Sequence, residues 1–84
     1  MRLRGRILST GMQGDDVREL HNAMERLDHF IPAPERQMAL FGPGTKKAVM
    51  DLQRAHSTFS SRVKGIVDQA TANLINESVG RSVA

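Results

Sequence analysis

The sequence of 84 residues contains no cysteine, no tryptophan and no tyrosine. Without cysteine the chain has no disulfide framework, no cysteine-ligated zinc and no thiol catalysis. Three phenylalanines are its only aromatic residues, a scarcity that argues against stacking platforms for sugars or single-stranded nucleic acid. No apolar run approaches the roughly 20 residues of a membrane span, and the N-terminus lacks the apolar stretch of a signal peptide.

The net charge of +3 comes from the start of the chain, where Arg2, Arg4 and Arg6 supply the excess over a balanced remainder. Basic residues elsewhere are dispersed, whereas a duplex-binding domain concentrates them on one face, so nucleic acid is not an expected partner. The arginines alternate with Leu3, Gly5 and Ile7, which predicts a short edge strand or an extended arm. We therefore separate residues 1–10 as a basic N-terminal arm.

The first predicted helix runs from about Asp15 to His29. Its apolar residues step by three and four positions, which places them on one face: Val17, Leu20, Met24, Leu27 and Ile31. Asp15 and Asp16 supply negative charge at the helix start, and Asp16 has capping-box spacing to Glu19. Prolines end this helix, and residues 32–39 are predicted to form a linker.

Two further helices are predicted in the second half of the chain. One starts at Pro43 after Gly42 and ends near His56; its apolar face is Ala48, Val49, Leu52, Ala55 and Phe59. A polar loop follows over residues 57–61, and residues 63–67 are predicted to be extended. The last helix is capped by Asp68, with an inner face of Thr71, Leu74, Ile75 and Val79, before a loose tail at residues 80–84.

An internal repeat links the starts of these two helices. Residues 40–49 align with residues 66–75, so that Thr45 and Thr71 are 26 positions apart. In each copy an apolar pair is followed by a cap residue, and threonine lies three positions beyond that cap. We expect the hydroxyl of each threonine to bond back toward the cap while its methyl group faces the core.

Three blocks of residues resemble the peptidoglycan-binding-like domain, the small three-helix module of cell-wall hydrolases. The blocks are Gly11-x-x-Gly14-x-Asp16-Val17-x-x-Leu20, then Phe41-Gly42-Pro43-x-Thr45-x-x-Ala48-Val49-x-x-Leu52-Gln53, and finally Gly65-x-Val67-x-x-x-Thr71-x-x-Leu74. The resemblance covers residues 8–76. It implies an all-α three-helix bundle, with the domain at residues 11–79 and Asp68 at the start of the last helix, that binds bacterial cell wall beside a catalytic domain.

The chain departs from the family pattern at several positions. His21 stands where the family has glutamine, and Met38-Ala39 replaces the Asp-Gly that precedes the middle block. Leu52 replaces a common phenylalanine, and the linker over residues 32–39 is longer than in the family. These changes leave the expected fold intact and bear on the contacts to sugar or stem peptide.

No catalytic or metal motif emerges from the sequence. His21, Glu25 and His29 recur every four residues, but the helical rise separates the two histidines by roughly 12 Å, too far for one ion. We expect all three on a solvated helix flank. The sequence has no nucleophile elbow, His-Glu-x-x-His pair or phosphate loop, so neither an enzyme activity nor a cofactor is expected.

Four side chains are candidates for contact with a wall polymer. Lys46, Lys47 and Arg54 are basic and suit the carboxylates of a stem peptide. Gln53 either ties a loop to the core or bonds a ligand amide, and the structural role is the favoured one. Free backbone amides at the Gly14 and Gly42 turns are further candidate carboxylate sites.

Two hypotheses from different functional classes follow. The leading one is a non-catalytic module of a larger protein that binds peptidoglycan or a related polymer, which implies a place in the cell envelope or outside the cell. The rival is a structural or protein-interaction module that kept the fold without wall binding. Flanking domains discriminate them, because a hydrolase neighbour favours wall binding and toxin-like or sheet-rich neighbours favour a scaffold.

Overall fold

The structure, a computed structural model, describes residues 7–56 and 65–83, with side chains up to residue 80. Four helices lie in these ranges: α1 (Asp15–Arg26), α2 (Ala33–Met38), α3 (Pro43–Ala55) and α4 (Gln69–Val83). The described residues contain no strand, which confirms the all-α class. The arginine-bearing arm, the loop at 57–61, Phe59 and the first part of the 63–67 segment lie outside the described residues.

The prediction of a linker over residues 32–39 was wrong, because its centre folds into the six-residue helix α2. Pro32 occupies the N-cap and Pro34 lies in the first turn, where a missing N–H costs no helical hydrogen bond. The prolines therefore end one helix and begin another. The helix stops at Ala39, which adopts a left-handed conformation with φ of 48°.

The other helix boundaries differ from the predicted ones in detail. α1 ends at Arg26 rather than His29, and its N-cap is Gly14, which makes no side-chain capping bond. The capping box expected from Asp16 and Glu19 is thus not the cap of this helix, although the acidic charge in the first turn is present. α4 continues through Val83, four residues beyond its predicted end.

One core lies between α1, α3 and α4, and the predicted apolar faces supply most of it, whereas Ala55, predicted on the apolar face of α3, is exposed. Its buried members are Leu8, Val17, Leu20, Met24, Ile31, Phe41, Ala48, Val49, Leu52, Val67, Ala72 and Ile75. Leu74, which was predicted on the inner face of the last helix, is only partly buried and packs against this cluster. Ala72 and Ile75 are the fully buried apolar residues of α4, so these two side chains face the core.

Backbone bonds tie the starts of α3 and α4 to the beginning of the chain. Leu8 and Val67 exchange two hydrogen bonds of 3.0 and 2.9 Å as an isolated antiparallel bridge. Phe41 accepts from Gly11 and donates to Met12, both at 2.8 Å. Leu8 is also part of the core. The segment after the arginines therefore pairs with Val67, the last residue of the segment that was predicted to be extended.

Among the described helices, none has the length and hydropathy that crossing a membrane requires. The division into an arm of residues 1–10, a domain of residues 11–79 and a tail of residues 80–84 stays a prediction.

Candidate functional site

Glu35, on α2, caps the start of α3 from outside that helix. Its Oε1 accepts from the backbone N–H of Gly42 at 3.0 Å and of Thr45 at 2.8 Å, and its Oε2 accepts from Gly44 N–H at 2.9 Å. The intervening Pro43 has no N–H to offer. All backbone donors of this first turn are thus taken by one side chain, and the expectation that the Gly42 turn offers free amides to a ligand was wrong.

Thr45 and His21 extend this contact into a buried polar network. The Thr45 hydroxyl lies 2.7 Å from Glu35 Oε1 and 2.8 Å from His21 Nε2. Since the hydroxyl gives its one proton to the carboxylate, we infer that His21 donates through Nε2–H. Its Nδ1 is then an acceptor, and it is buried without a hydrogen-bond partner among the described residues.

Burial and hydrogen bonding set the charges of this network. Burial acts to raise the pKa of Glu35, but the bonds from Thr45, Gly44 and Gly42 outweigh it and hold the pKa below its usual value. Burial lowers the pKa of His21, against the opposing attraction of the Glu35 charge. At neutral pH the network therefore joins an ionised carboxylate to a neutral imidazole.

His21 was expected on a solvated flank of α1, and this prediction was wrong. The side chain is 1% exposed because it turns toward Thr45 instead of solvent. Glu25 is exposed and pairs with Arg36 at 3.6 Å, and His29 is half-buried beyond the end of α1. No group of three or more metal-ligating side chains is found within the described ranges.

A second polar network lies at the start of α4. Thr71 N–H donates to Asp68 Oδ1 at 2.8 Å, which confirms Asp68 as the predicted cap. The Thr71 hydroxyl accepts from Gln53 Nε2 at 3.0 Å, and Gln53 Oε1 accepts from Gly65 N–H at 2.9 Å. Gln53, a predicted binding candidate, is buried, and the described contacts of its amide are internal.

The hydroxyl, imidazole and carboxylate of the first network do not form a nucleophilic triad. In such a triad the imidazole takes the hydroxyl proton and the carboxylate orients the imidazole. Here Glu35 accepts directly from Thr45, and the hydroxyl is fully buried. The arrangement instead fixes the position of α3 against α1 and α2.

A surface groove opens beside this fixed helix start, and we call it the Phe30 groove. It has a volume of about 300 Å³ and is lined by His29, Phe30, Pro32, Gly44, Lys47, Ala48 and Asp51. Of the two phenylalanines in the described residues, Phe41 is buried in the core, while Phe30 is 79% exposed. The groove thus combines an exposed aromatic ring with a basic and an acidic side chain.

The Phe30 groove depends on close packing of Pro32 against Gly44. A Cβ atom at Gly44 would collide with the ring of Pro32 and would lie 2.8 Å from Glu35 Oε2. Glycine at this position therefore lets the two walls of the groove meet. The bond from Gly44 N–H to Glu35 then holds them together.

Two further grooves between described helices are lined by no phenylalanine. One, of about 360 Å³ between α1 and α2, is lined by Arg18, His21, Asn22, Ala33, Arg36 and Gln37. Its two arginines are occupied in exposed ion pairs, Arg18 with Asp15 at 3.3 Å and Arg36 with Glu25 at 3.6 Å. Another groove, of about 340 Å³, lies between α1 and α4.

Comparison with known families now assigns the chain. Residues 13–75, three quarters of the sequence, match the family model described as "Putative peptidoglycan binding domain". The chain belongs to this peptidoglycan-binding family. No curated protein and no solved structure matches it. The family match supports peptidoglycan binding at the level of the whole domain and confirms the resemblance seen in the sequence.

Of the predicted contact residues of this peptidoglycan-binding domain, Lys46, Lys47 and Arg54 are exposed on α3. Only Lys47 lines the Phe30 groove. Phe30 and Glu35 were not among the residues predicted from the sequence to form the site. A signal for Phe30 was present, because it lies between Leu27 and Ile31 and falls off the apolar face of the helical pattern.

Proposed function

We propose that this peptidoglycan-binding domain holds the wall polymer in the Phe30 groove without catalysing its cleavage. Family membership supports peptidoglycan as the ligand, and the groove supplies an aromatic ring and two charged side chains that can contact it. We further propose that the domain belongs to a larger protein that acts at the cell envelope, where the polymer is found.

The exposure of Phe30 is the observation that carries this proposal. The chain has few large apolar side chains for its core, yet this ring lies 79% exposed at the rim of a groove. An exposed aromatic ring offers an apolar face that sugars and aliphatic peptide groups can cover, and neighbouring charges orient the ligand. Lys47 and Asp51 supply those charges.

Lys46 and Arg54 take a secondary part in this proposal. Both are exposed on α3 but neither lines the Phe30 groove. We place them at the periphery of the binding surface, where they attract the carboxylates of the polymer over a distance limited by salt screening. Their removal should therefore weaken binding less than the removal of Phe30.

Co-sedimentation with purified insoluble peptidoglycan tests the proposal. We expect the parent domain to be enriched over an unrelated helix-bundle control at low and at physiological salt. Phe30→Ala should lower the affinity at least tenfold, because the ligand loses its apolar contact. The matched control is Met38→Ala, which removes an apolar side chain that is 58% exposed on α2 and does not line the groove.

The outcomes separate the parts of the proposal. Absence of enrichment for the parent domain would contradict wall binding and favour the scaffold hypothesis. Equal affinities of the parent and Phe30→Ala would show that the polymer binds outside the Phe30 groove. Circular dichroism of each variant establishes that it is folded before its binding is compared.

A further inference from the structure

Two opposite charges lie one helical turn apart on the α3 wall of the Phe30 groove. Lys47 and Asp51 are four residues apart and both line the groove. Exposed pairs elsewhere do join, as Arg18 does with Asp15. The described part of the chain offers neither Lys47 nor Asp51 an ion-pair partner. Lysine before aspartate is also the less favourable order for pairing along a helix.

The imidazole of His29 also lines the groove, and the polar groups between Pro32 and α3 are engaged within the protein. Gly44 N–H is bonded to Glu35, and Glu35 is enclosed by its contacts to α3. Lys47 and Asp51 are the ammonium and the carboxylate of the groove lining. A ligand that satisfies both must carry a carboxylate for Lys47 and an ammonium for Asp51 at a short separation.

We propose that the groove recognises uncross-linked peptide stems of peptidoglycan, at an end where a free ammonium lies near a free carboxylate. This inference rests on the proposed wall binding. The glycan strands carry N-acetylated sugars and offer no such ammonium, so the peptide is the part of the polymer that fits. A cross-link converts the amine into an amide, removes its positive charge and leaves Asp51 without a partner.

Phe30 completes the recognition of such a peptide end. Its exposed ring shares the groove with both charges and covers the aliphatic chain between the ammonium and the carboxylate. An amphipathic ligand of this kind places its charges on α3 and its methylene groups on the ring. Together, Phe30, Lys47 and Asp51 can bind a ligand that carries charges of both signs separated by an apolar spacer.

Calorimetric titration with synthetic peptides tests this inference. The probe is N-acetylated alanyl-γ-glutamyl-lysine, whose lysine has a free side-chain ammonium and a free α-carboxylate. One comparison peptide has that ammonium acetylated, and another has the α-carboxylate converted to an amide. We expect each blocked peptide to bind at least tenfold more weakly than the probe.

Charge-removing variants assign each end of the probe to its side chain. Asp51→Asn should abolish the preference for the free ammonium and keep the preference for the free carboxylate. Lys47→Met should do the reverse. Arg26→Met is the matched control, because it removes an exposed basic side chain of α1 that does not line the groove.

The remaining outcomes distinguish this inference from the proposed function. Glycan strands stripped of peptide that bind as well as intact wall would overturn peptide recognition and leave wall binding in place. Equal affinities for the free and blocked peptides would do the same. Failure of the parent domain to bind intact wall would overturn both.

Discussion

The starts of α3 and α4 solve one structural problem with different residues. At each start a threonine is fully buried, its N–H donates to a carboxylate at 2.8 Å, and its hydroxyl bonds a polar side chain of an earlier helix. That side chain is His21 of α1 at the first start and Gln53 of α3 at the second. The repeat visible in the sequence is thus a repeat of hydrogen bonding.

The two starts differ in where the capping carboxylate comes from. Asp68 is the residue next to α4, whereas Glu35 reaches α3 from a separate helix. The polar partner and the threonine are 24 residues apart at the first start and 18 at the second. The difference equals the six residues of α2.

α2 makes two contributions at the start of α3 that the start of α4 does not need. Because α2 supplies the carboxylate, the cap position of α3 needs no side chain, and glycine occupies it. The same segment lays Pro32 on Gly44 and so forms a wall of the Phe30 groove. The segment of α2 therefore supplies the cap of α3 and one wall of the surface that we propose binds peptidoglycan.

Removal of the capping carboxylate should lower the free energy of unfolding much more at the start of α3 than at the start of α4. Glu35→Ala leaves three backbone N–H groups and a hydroxyl without their acceptor, which should cost about 3–5 kcal/mol of unfolding free energy. Asp68→Ala removes a conventional N-cap and should cost about 0.5–2 kcal/mol. Urea unfolding of both variants measures this, and equal costs would contradict a special role of Glu35.

Leu52 belongs to the core that both helix starts share, and its truncation comes next in size. It is buried on α3, so Leu52→Ala should cost about 2–5 kcal/mol through lost transfer free energy and a residual cavity. A domain of this size has only about 5 kcal/mol of stability, and thermal melts should show the variant close to unfolded. Leu74→Ala is the control, because this partly buried leucine should cost less. A larger loss for Leu74→Ala would contradict the core described here.

The sequence predicted the parts of the fold that depend on local patterns. Apolar spacing located α1, α3 and α4, and Asp68 next to an apolar face identified a cap. Glu35 was missed because its bonds to α3 cross a turn that no local rule specifies. His21 was misplaced because its partner Thr45 lies 24 residues away, and a polar residue beside an apolar face is ordinarily solvated.

The buried histidine makes the first start sensitive to acid in a way that the second is not. The pKa of His21 is lowered by burial, so the unfolded chain takes up a proton first and stability falls as pH drops through about 6.5. The lowered pKa of Glu35 adds a further loss at more acid pH, as its carboxylate becomes protonated.

His21→Gln gives the start of α3 the same residue type as Gln53 at the start of α4. This variant should no longer lose stability near pH 6.5, and it should keep the loss at more acid pH that comes from Glu35. Thermal melts between pH 8 and pH 4 measure both, with His29→Gln as the control for the removal of one imidazole. An unchanged loss of stability near pH 6.5 in His21→Gln would contradict the assignment to His21.

A smaller difference concerns the backbone before each helix. Ala39 has φ of 48° and Gly65, 26 positions later, has φ of 75°. Since a left-handed conformation costs a residue with a Cβ atom about 1–2 kcal/mol, Ala39→Gly should raise stability by up to about 1 kcal/mol. Gly65→Ala should lower it by about 1 kcal/mol or more. A fall in melting temperature for Ala39→Gly would show that its buried methyl group outweighs the backbone strain.

The most direct test of the relation between the two starts is to give α3 the local cap of α4 through Gly42→Asp. In the parent chain a Cβ at Gly42 would lie 2.6 Å from Glu35 Cδ, and two carboxylates would compete for the same amides. In the Glu35→Ala background that space is vacated and the amides lack an acceptor. Thermal melts of the four chains, run in a stabilising osmolyte so that each folds, measure the effect in both backgrounds. We predict that Gly42→Asp lowers the melting temperature of the parent and raises that of Glu35→Ala, and a change of the same sign in both would contradict the account.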